Sequence, residues 1–432
     1  MKKLATLLLF LTAIAANSQE LLTAEEAVKI ALENNYDIRI EKNNLRIDQT
    51  NTTIGNAGML PNVEAAVTDN NSVQNSSQTR SDGTVQELDN ARNSNLNYGV
   101  SLGWTIFDGL GMFARYDQLK ELQKLGQAEL QLVVLTRVSD VSTTYYDLVQ
   151  QKQQIASLDT TLAISKARVE LANNRFTIGK SSKLEVLNAK VDMNTDETSL
   201  LRAKETYANT KIQLNQLLAR DTKIDFTVTD EFTVDSALLL PDLETLALKQ
   251  NPSVQAQLIS KRVAELQLKA VKSQRYPVVS VSTGYNFAET RNSLGFTSQS
   301  SANGLTYGFA ATMNIFNGFN QNRNEKVAKI QLENSKVLVE QQNQAILSQL
   351  GTAYQTYLTN ISLIDLESRN EEIARENLDI TMEKYRIGTI PTIEYRTAQL
   401  NFLNAQLRYS IAKYNAKISE ITLRELAGNL SF

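Results

Sequence analysis

The chain has 432 residues, with 44 lysines and arginines against 47 aspartates and glutamates and a formal net charge of −3. It contains no cysteine and no histidine. Disulfides, thiol chemistry, Ser-His-Asp triads and Cys-His pairs are therefore excluded, and the commonest zinc ligands are missing. The balanced charge offers no polyanion-binding surface, so nucleic acid is not expected as a partner.

Residues 1–18 read as a secretory signal peptide. Met1-Lys2-Lys3 supplies the basic start, Leu4 to Ala16 an unbroken run of apolar and small residues, and Ala16-Asn17-Ser18 a cleavage site before Gln19. The run is too short to span a membrane as a helix, and no cysteine follows it to carry a lipid anchor. Losing Lys2 and Lys3 with the signal takes the charge from −3 to −5. No other stretch is long and apolar enough for a transmembrane helix. A transmembrane β-barrel stays open, because alternating strands keep the average hydropathy low.

Residues 23–58 predict a helix, with Ala27, Ile30, Ala31 and Ile38 on one face, ending before Pro61. A hairpin follows. Its polar stretch Asp69–Asn93 is expected to be an exposed loop. The return strand sets Leu96, Tyr98, Val100, Leu102, Trp104 and Ile106 against Asn95, Asn97, Gly99, Ser101, Gly103 and Thr105. That is the period-two pattern of a strand with one face in lipid and one in water. Asp108 is an expected helix N-cap. From it a proline-free helix runs to about residue 174, roughly 100 Å at 1.5 Å per residue, with a seam of Leu132, Leu135, Val138, Val141, Tyr145 and Leu148. Gly179 is the expected C-terminal glycine. Ser182-Lys183-Leu184-Glu185 then reads as a capping box for a returning helix.

The whole pattern recurs. Ile106-Phe107-Asp108-Gly109 returns as Ile315-Phe316-Asn317-Gly318, and Phe176-Thr177-Ile178-Gly179 as Tyr385-Arg386-Ile387-Gly388, both 209 residues later. Glu185 and Ala189 recur as Glu394 and Ala398 at the same offset. Two landmarks with one spacing indicate a duplication. The second unit has a helix over 242–275 ending before Pro277, and strands around Val281 and through Leu305, Tyr307, Phe309, Ala311, Met313 and Ile315. A polar loop, Glu289–Asn303, joins the strands. A second long helix follows to about 383, with Ile346, Leu350, Tyr354, Tyr357, Ile361 and Ile364 along its seam. The last helix carries Ile393, Leu400, Leu403, Leu407, Ile411, Tyr414 and Ile418. The expected organisation is signal 1–18, first repeat 19–225, linker 226–241 and second repeat 242–432.

One chain offers four amphipathic strands, whereas the smallest outer-membrane barrels need about eight, and open edges cannot sit in lipid. The strands must therefore close by oligomerisation, with Tyr98, Trp104, Tyr307 and Phe309 facing lipid. A barrel continued by long helices is a conduit. The expected fold class is mainly α with a membrane β-barrel, and no catalytic, cofactor-binding or metal site is expected. The competing expectation is a periplasmic coiled-coil scaffold or adaptor without a pore, which would place those four aromatics in a soluble core.

With both strand exits and both glycine tips in this order, the mature chain resembles the TolC-type outer-membrane efflux channels. The carrying residues at the tips are Arg175-Phe176-Thr177-Ile178-Gly179 with Glu185 and Asn188-Ala189-Lys190, and Lys384-Tyr385-Arg386-Ile387-Gly388 with Glu394 and Thr397-Ala398-Gln399. The resemblance implies a homotrimer with a twelve-strand barrel in outer-membrane lipid and a twelve-helix periplasmic tunnel. It also implies a periplasmic adaptor protein and an inner-membrane pump of RND or ABC type as partners. Ile178, Gly179, Ile387 and Gly388 match the adaptor-docking tips. Glu394, Thr397, Tyr385 and Glu185 match the periplasmic gate, in which Tyr385 reaches towards Glu185. Thr397 replaces the second acid of the family gate and Ile390 its arginine, so a single ring of Glu394 and a latch with fewer charges are expected.

Overall fold

The computed structural model describes residues 20–294 and 297–430. The expected signal peptide lies outside the described residues. The first half runs β1 (Glu20–Leu21), α1 (Ala24–Asn34), α2 (Tyr36–Asn51), β2 (Asn62–Thr79), β3 (Val85–Asp108), α3 (Gly111–Thr177) and α4 (Lys183–Leu217). The second runs β4 (Phe226–Thr227), α5 (Leu240–Gln250), α6 (Pro252–Ser273), β5 (Val278–Asn292), β6 (Gln299–Thr312), α7 (Asn320–Ile387) and α8 (Thr392–Ala427). The chain divides into two compact units, each drawn from both halves. One comprises the residues up to Asn44, Gln127–Ala256 and Glu340 onward; the other comprises Leu45–Gly126 and Gln257–Val339.

The first unit is helical, and its core is built twice. Around the short parallel pair β1–β4, Leu22, Ala27, Ala31, Val141, Tyr145, Leu148, Leu214 and Phe226 are buried together. The Tyr145 hydroxyl donates to the Leu22 carbonyl at 3.0 Å. In the second half, Ala247, Leu350, Tyr357 and Leu423 take the places of Ala31, Val141, Leu148 and Leu214. Tyr357 donates to the Asp235 carbonyl at 2.6 Å. Each aromatic thus fills a helix seam and satisfies a backbone acceptor in the chain crossing it.

Instead of the single helices expected over 23–58 and 242–275, the structure breaks each in two, at Asn35 and at Asn251. The Asn35 side-chain oxygen accepts from the backbone N–H groups of Asp37 and Ile38 at 2.9 and 3.3 Å, and its amide donates to the Leu217 carbonyl at 2.8 Å. Asn251 repeats the device with Ser253 and Val254 at 2.9 and 3.3 Å and with the Leu426 carbonyl at 2.9 Å. One buried asparagine therefore caps the second helix of each pair and ties it to the end of the last helix of its repeat. The apolar period runs on in phase across the break, which hides it. Only Pro252, at the first position of α6, marks it in sequence.

The expected seams need two corrections. Leu132 is exposed, and so are Ile393, Leu400 and Ile411 on α8. Helix α8 instead buries a row of small residues at seven-residue spacing, Ala398, Ala405, Ala412 and Ser419. Small side chains let helices approach closely, so this row adds close approach to the expected Leu403, which is buried, and to Leu407, Tyr414 and Ile418, which pack partly buried against the cores.

The second unit holds an antiparallel sheet in the order β2-β3-β5-β6. One face carries Val63, Ala65, Val67, Tyr98, Val100, Trp104, Tyr285, Phe287, Leu305, Tyr307 and Phe309; the other carries Gly99, Ser101, Gly103, Ser282, Gly284, Asn286, Thr306 and Gly308, as strand alternation dictates. Tyr98 stacks on Phe287 with ring centroids 4.9 Å apart, and the Trp104 Nε1–H donates to the Met59 carbonyl at 2.9 Å. The segments expected as polar loops are largely strand. β2 and β3 continue to Thr79 and from Val85, and β5 and β6 reach Asn292 and Gln299. Ladder hydrogen bonds hold these stretches regardless of side-chain polarity. Conversely, β6 stops at Thr312, short of the expected Ile315.

Asp108 and Asn317 stand two positions further from their helices than expected. Two left-handed residues intervene in each case, Gly109 and Leu110 (φ 70° and 69°) and Gly318 and Phe319 (φ 66° and 63°). Across that turn Asp108 still accepts from the Met112 N–H at 2.9 Å, and Asn317 from that of Gln321 at 3.2 Å. Asp108 also pairs with Arg115 at 2.7 Å.

Replacing Asn251 by Ala removes both the cap and the tie to Leu426, and should destabilise the protein by about 1–3 kcal/mol. Asn251→Asp keeps the cap acceptor and loses the amide donor, so its denaturation midpoint should fall between those of the native protein and Asn251→Ala.

Candidate functional site at the helical tips

The two long helical hairpins turn through glycine. After α3, Gly179 has φ 75°, and the Lys180 N–H bonds back to the Arg175 carbonyl at 2.8 Å. After α7, Gly388 has φ 93°, and the Thr389 N–H bonds to the Lys384 carbonyl at 3.0 Å. Nothing crowds a Cβ at Gly179, so left-handed geometry alone calls for glycine there. Ile178 and Ile387 project from these turns, 65% and 76% exposed.

The structure brings Glu185 and Tyr385 together. Glu185 Oε1 accepts from the Tyr385 hydroxyl at 3.1 Å and from Thr392 Oγ1 at 2.5 Å. The expected capping box is half made. Ser182 Oγ accepts from the Glu185 N–H at 3.3 Å, while the Glu185 carboxylate turns instead to the second repeat. Tyr385 is buried and stacks face to face on Tyr395, with centroids 5.0 Å apart. Burial, above all, pushes its hydroxyl above the usual tyrosine range, which keeps it a donor to the carboxylate.

Charge enters this cluster from the other tip. The Arg175 guanidinium lies 4.6 Å from the centre of the Tyr385 ring, donates to the Tyr385 carbonyl and to that of Arg386 at 3.3 Å, and stands 4.0 Å from Glu185. Ile390, at the position expected to lack an arginine, packs half-buried against the tyrosine pair. Glu394 and Thr397 are not part of this cluster. They lie on the exposed side of α8, whose opposite side buries Tyr395, Arg396, Ala398 and Gln399.

Sequence reasoning missed a second, largely buried constellation. Arg396 makes a two-pronged pair with Asp196, at 2.8 Å on both oxygens. Ser165 Oγ donates to Asp196 at 2.5 Å, and Gln399 Nε2 donates to Ser165 Oγ at 3.0 Å and to the Thr161 carbonyl at 3.2 Å. Arg168, with its side chain wholly buried, pairs with Asp192. The available signal was an Arg on α8 in phase with Gln399 and the expected seam residue Leu403, both buried, because a buried charge requires a partner.

The family model for outer membrane efflux proteins matches residues 27–220 and 243–429. The chain belongs to the outer membrane efflux protein family. Among curated relatives, the outer membrane protein TolC of Escherichia coli is 19% identical over 305 residues, which cover 68% of this chain and 62% of that protein. The match to TolC thus spans less than two thirds of its length. The outer membrane efflux protein BepC of Brucella suis is 19% identical over 427 residues, covering 98% of this chain and 88% of BepC. Among solved structures, the outer-membrane channel OprN superposes with a TM-score of 0.78 at 17% identity, covering 94% of this chain and 90% of OprN. The CmeC outer membrane channel of Campylobacter jejuni gives 0.77 at 17%, covering 94% and 85%. At such identities these structures establish the fold, a barrel sheet with long helical hairpins. The tip residues must be argued from their own geometry.

Within that geometry, Arg396→Leu strands the Asp196 carboxylate in a buried site and should cost about 3–5 kcal/mol. Adding Asp196→Leu should recover a large part of the loss. Urea denaturation of the two variants, followed by circular dichroism, measures both; an equal or greater loss in the double variant would mean that the pair itself supplies the stability.

Proposed function

We propose that the protein is the outer-membrane exit channel of a tripartite efflux or secretion system, conducting substrates passively from a periplasmic adaptor and an inner-membrane pump of RND or ABC type to the exterior. The observation that carries this reading is the sheet. Its apolar face, with Tyr98, Trp104, Tyr307 and Phe309 between 37% and 84% exposed, is backed by a face of glycine, serine, threonine and asparagine. Lipid on one side and water on the other is the environment that fits both. A pore-free scaffold would need those aromatics inside a soluble core.

The oligomer is a homotrimer. Three copies supply twelve strands, comfortably above the smallest closed barrels, and twelve helices for a periplasmic tunnel. The exposed turns at Ile178-Gly179 and Ile387-Gly388 are the adaptor-docking tips, where an apolar knob on a glycine turn suits tip-to-tip packing. The tips are also the gate. Tyr385 and Thr392 hold Glu185 across the two hairpins, while Glu394 and Thr397, turned to the exposed side of α8, are free to line the entrance. Three copies of Glu394 form one anionic ring, which favours cations. No step of this function is catalytic.

In planar bilayers, Tyr385→Phe removes one hydrogen bond to a carboxylate, an interaction of about 1.5–3 kcal/mol. The open-to-closed ratio should rise roughly tenfold or more. An unchanged closed-state conductance would rule out the latch. Glu394→Ala should lower cation preference in reversal-potential measurements without the same rise in opening.

A further inference from the structure

The two β-hairpins are equivalent in register as well as in sequence. The strands after Pro61 and Pro277 align at an offset of 216 residues, and the return strands align at 209. Under those offsets the β2–β3 pair Asn62↔Gly103 becomes Val278↔Thr312, which is the pair that β5 and β6 make. The joint between the hairpins is β3 with β5. Its repeat equivalent would join β6 to β2, yet these are the two edges of the sheet.

The missing joint shows as unfinished structure. β3 continues along β5 past Trp104↔Val281 and Thr105↔Ser280, sets Ile106 aside in a bulge, and ends with Phe107↔Val279 and Asp108↔Val278. The repeat equivalent of Trp104–Asp108 is Met313–Asn317, which is not strand, although Ile315 and Phe316 stand 94% and 73% exposed. On the opposite edge Val63 and Val67 are exposed too.

We propose that Met313–Asn317 is a strand extension that forms when β6 pairs antiparallel with β2 of a second copy, in the register already used by β3 and β5. Met313 then faces Ala65 of the partner subunit, Asn314 faces Glu64 of the partner subunit, and Phe316 faces Val63 of the partner subunit. Asn317 faces Asn62 of the partner subunit, and Ile315 is the bulged residue. The lengths agree. β2 has 18 residues; the 14 of β6, with five of extension and the bulged one set aside, come to the same number. Continued outward, this register sets Gln299 opposite Thr79 of the partner subunit, so both strands end together. The faces agree as well. Met313 continues the apolar row of Phe309 and Ala311, and Ala65 lies in that of Val63 and Val67. Pairing covers two open rows of backbone groups that lipid would not tolerate.

This inference rests on the reading of the chain as an oligomeric barrel and adds the seam and its register. The absence of cysteine makes the test clean, since two introduced thiols are the only ones. Directly opposed residues have Cα atoms about 4.5–5.5 Å apart, within disulfide reach, whereas diagonal neighbours lie about 7–8 Å apart. Within one chain, positions 65 and 313 are on opposite edges of four strands, roughly 14 Å apart, too far to bridge. After oxidation in detergent, Ala65→Cys/Met313→Cys should give covalent oligomers on a non-reducing gel, at least about tenfold more than Ala65→Cys/Ala311→Cys. Amide exchange at 313–317 in the unmodified assembled protein should be as slow as at 104–108. An oligomeric native mass with no 65–313 link, with a preferred 65–311 link, or with fast exchange at 313–317 would overturn the register and leave the oligomer standing. A monomeric native mass would overturn the oligomeric reading itself.

Discussion

A backbone amide in hydrocarbon has no water to turn to, and leaving one unpaired costs several kcal/mol. That constraint governs how this chain can be used. Four strands give a sheet with an apolar face and two open edges, a combination stable neither alone in water nor alone in lipid. The long polar continuations of β2 and β3 obey the same rule from the other side. Where side chains contribute no hydrophobic burial, the ladder still pairs the backbone groups that β2 and β3 turn towards each other, so the hairpin persists through Asn, Ser and Gln.

In the helical unit polar groups act as fasteners. Asn35 and Asn251 each hold a helix junction closed with three hydrogen bonds. The Arg396–Asp196 pair, with Ser165 and Gln399, locks α8 to α3 and α4 in a position where apolar side chains of similar volume would serve stability at least as well. The tip cluster around Glu185 is built differently. Its carboxylate side chain is 21% exposed, and its partners are a phenol, a hydroxyl and a guanidinium 4.0 Å away. A partly exposed carboxylate held by two single hydroxyl donors, beside a buried two-pronged ion pair, is a sensible division between a part that moves and a part that does not.

Much of this was legible in the residues. The duplication, the long helices, the glycine tips and the strand faces all follow from period and spacing, because each depends on local geometry that repeats. The Tyr385–Glu185 contact was legible through resemblance alone, since 200 residues separate the two. What escaped were features whose signal is ambiguous in one dimension. Asn35 keeps the helical phase while breaking the helix. The polar strands look like loops because composition reports side chains and the ladder is made by backbone. Ala398, Ala405 and Ala412 read as filler beside Ile393 and Leu400, yet close approach buries the alanines and leaves those two larger residues outside. Arg396 looked like one more surface charge until its depth was known.

The duplication is unequal at the tips. Tyr385, buried beside Glu185, corresponds to Phe176, which is exposed, and Arg396 corresponds to Leu187, which is also exposed. Phenylalanine has no hydroxyl to donate, and leucine has no charge to pair. The joint made inside one chain therefore could not be reproduced, atom for atom, at a joint between copies. Around any ring of copies, fastened and unfastened joints must alternate. A motion at this end would then have the rotational symmetry of the copy number and never twice that, with each chain moving as a single leaf.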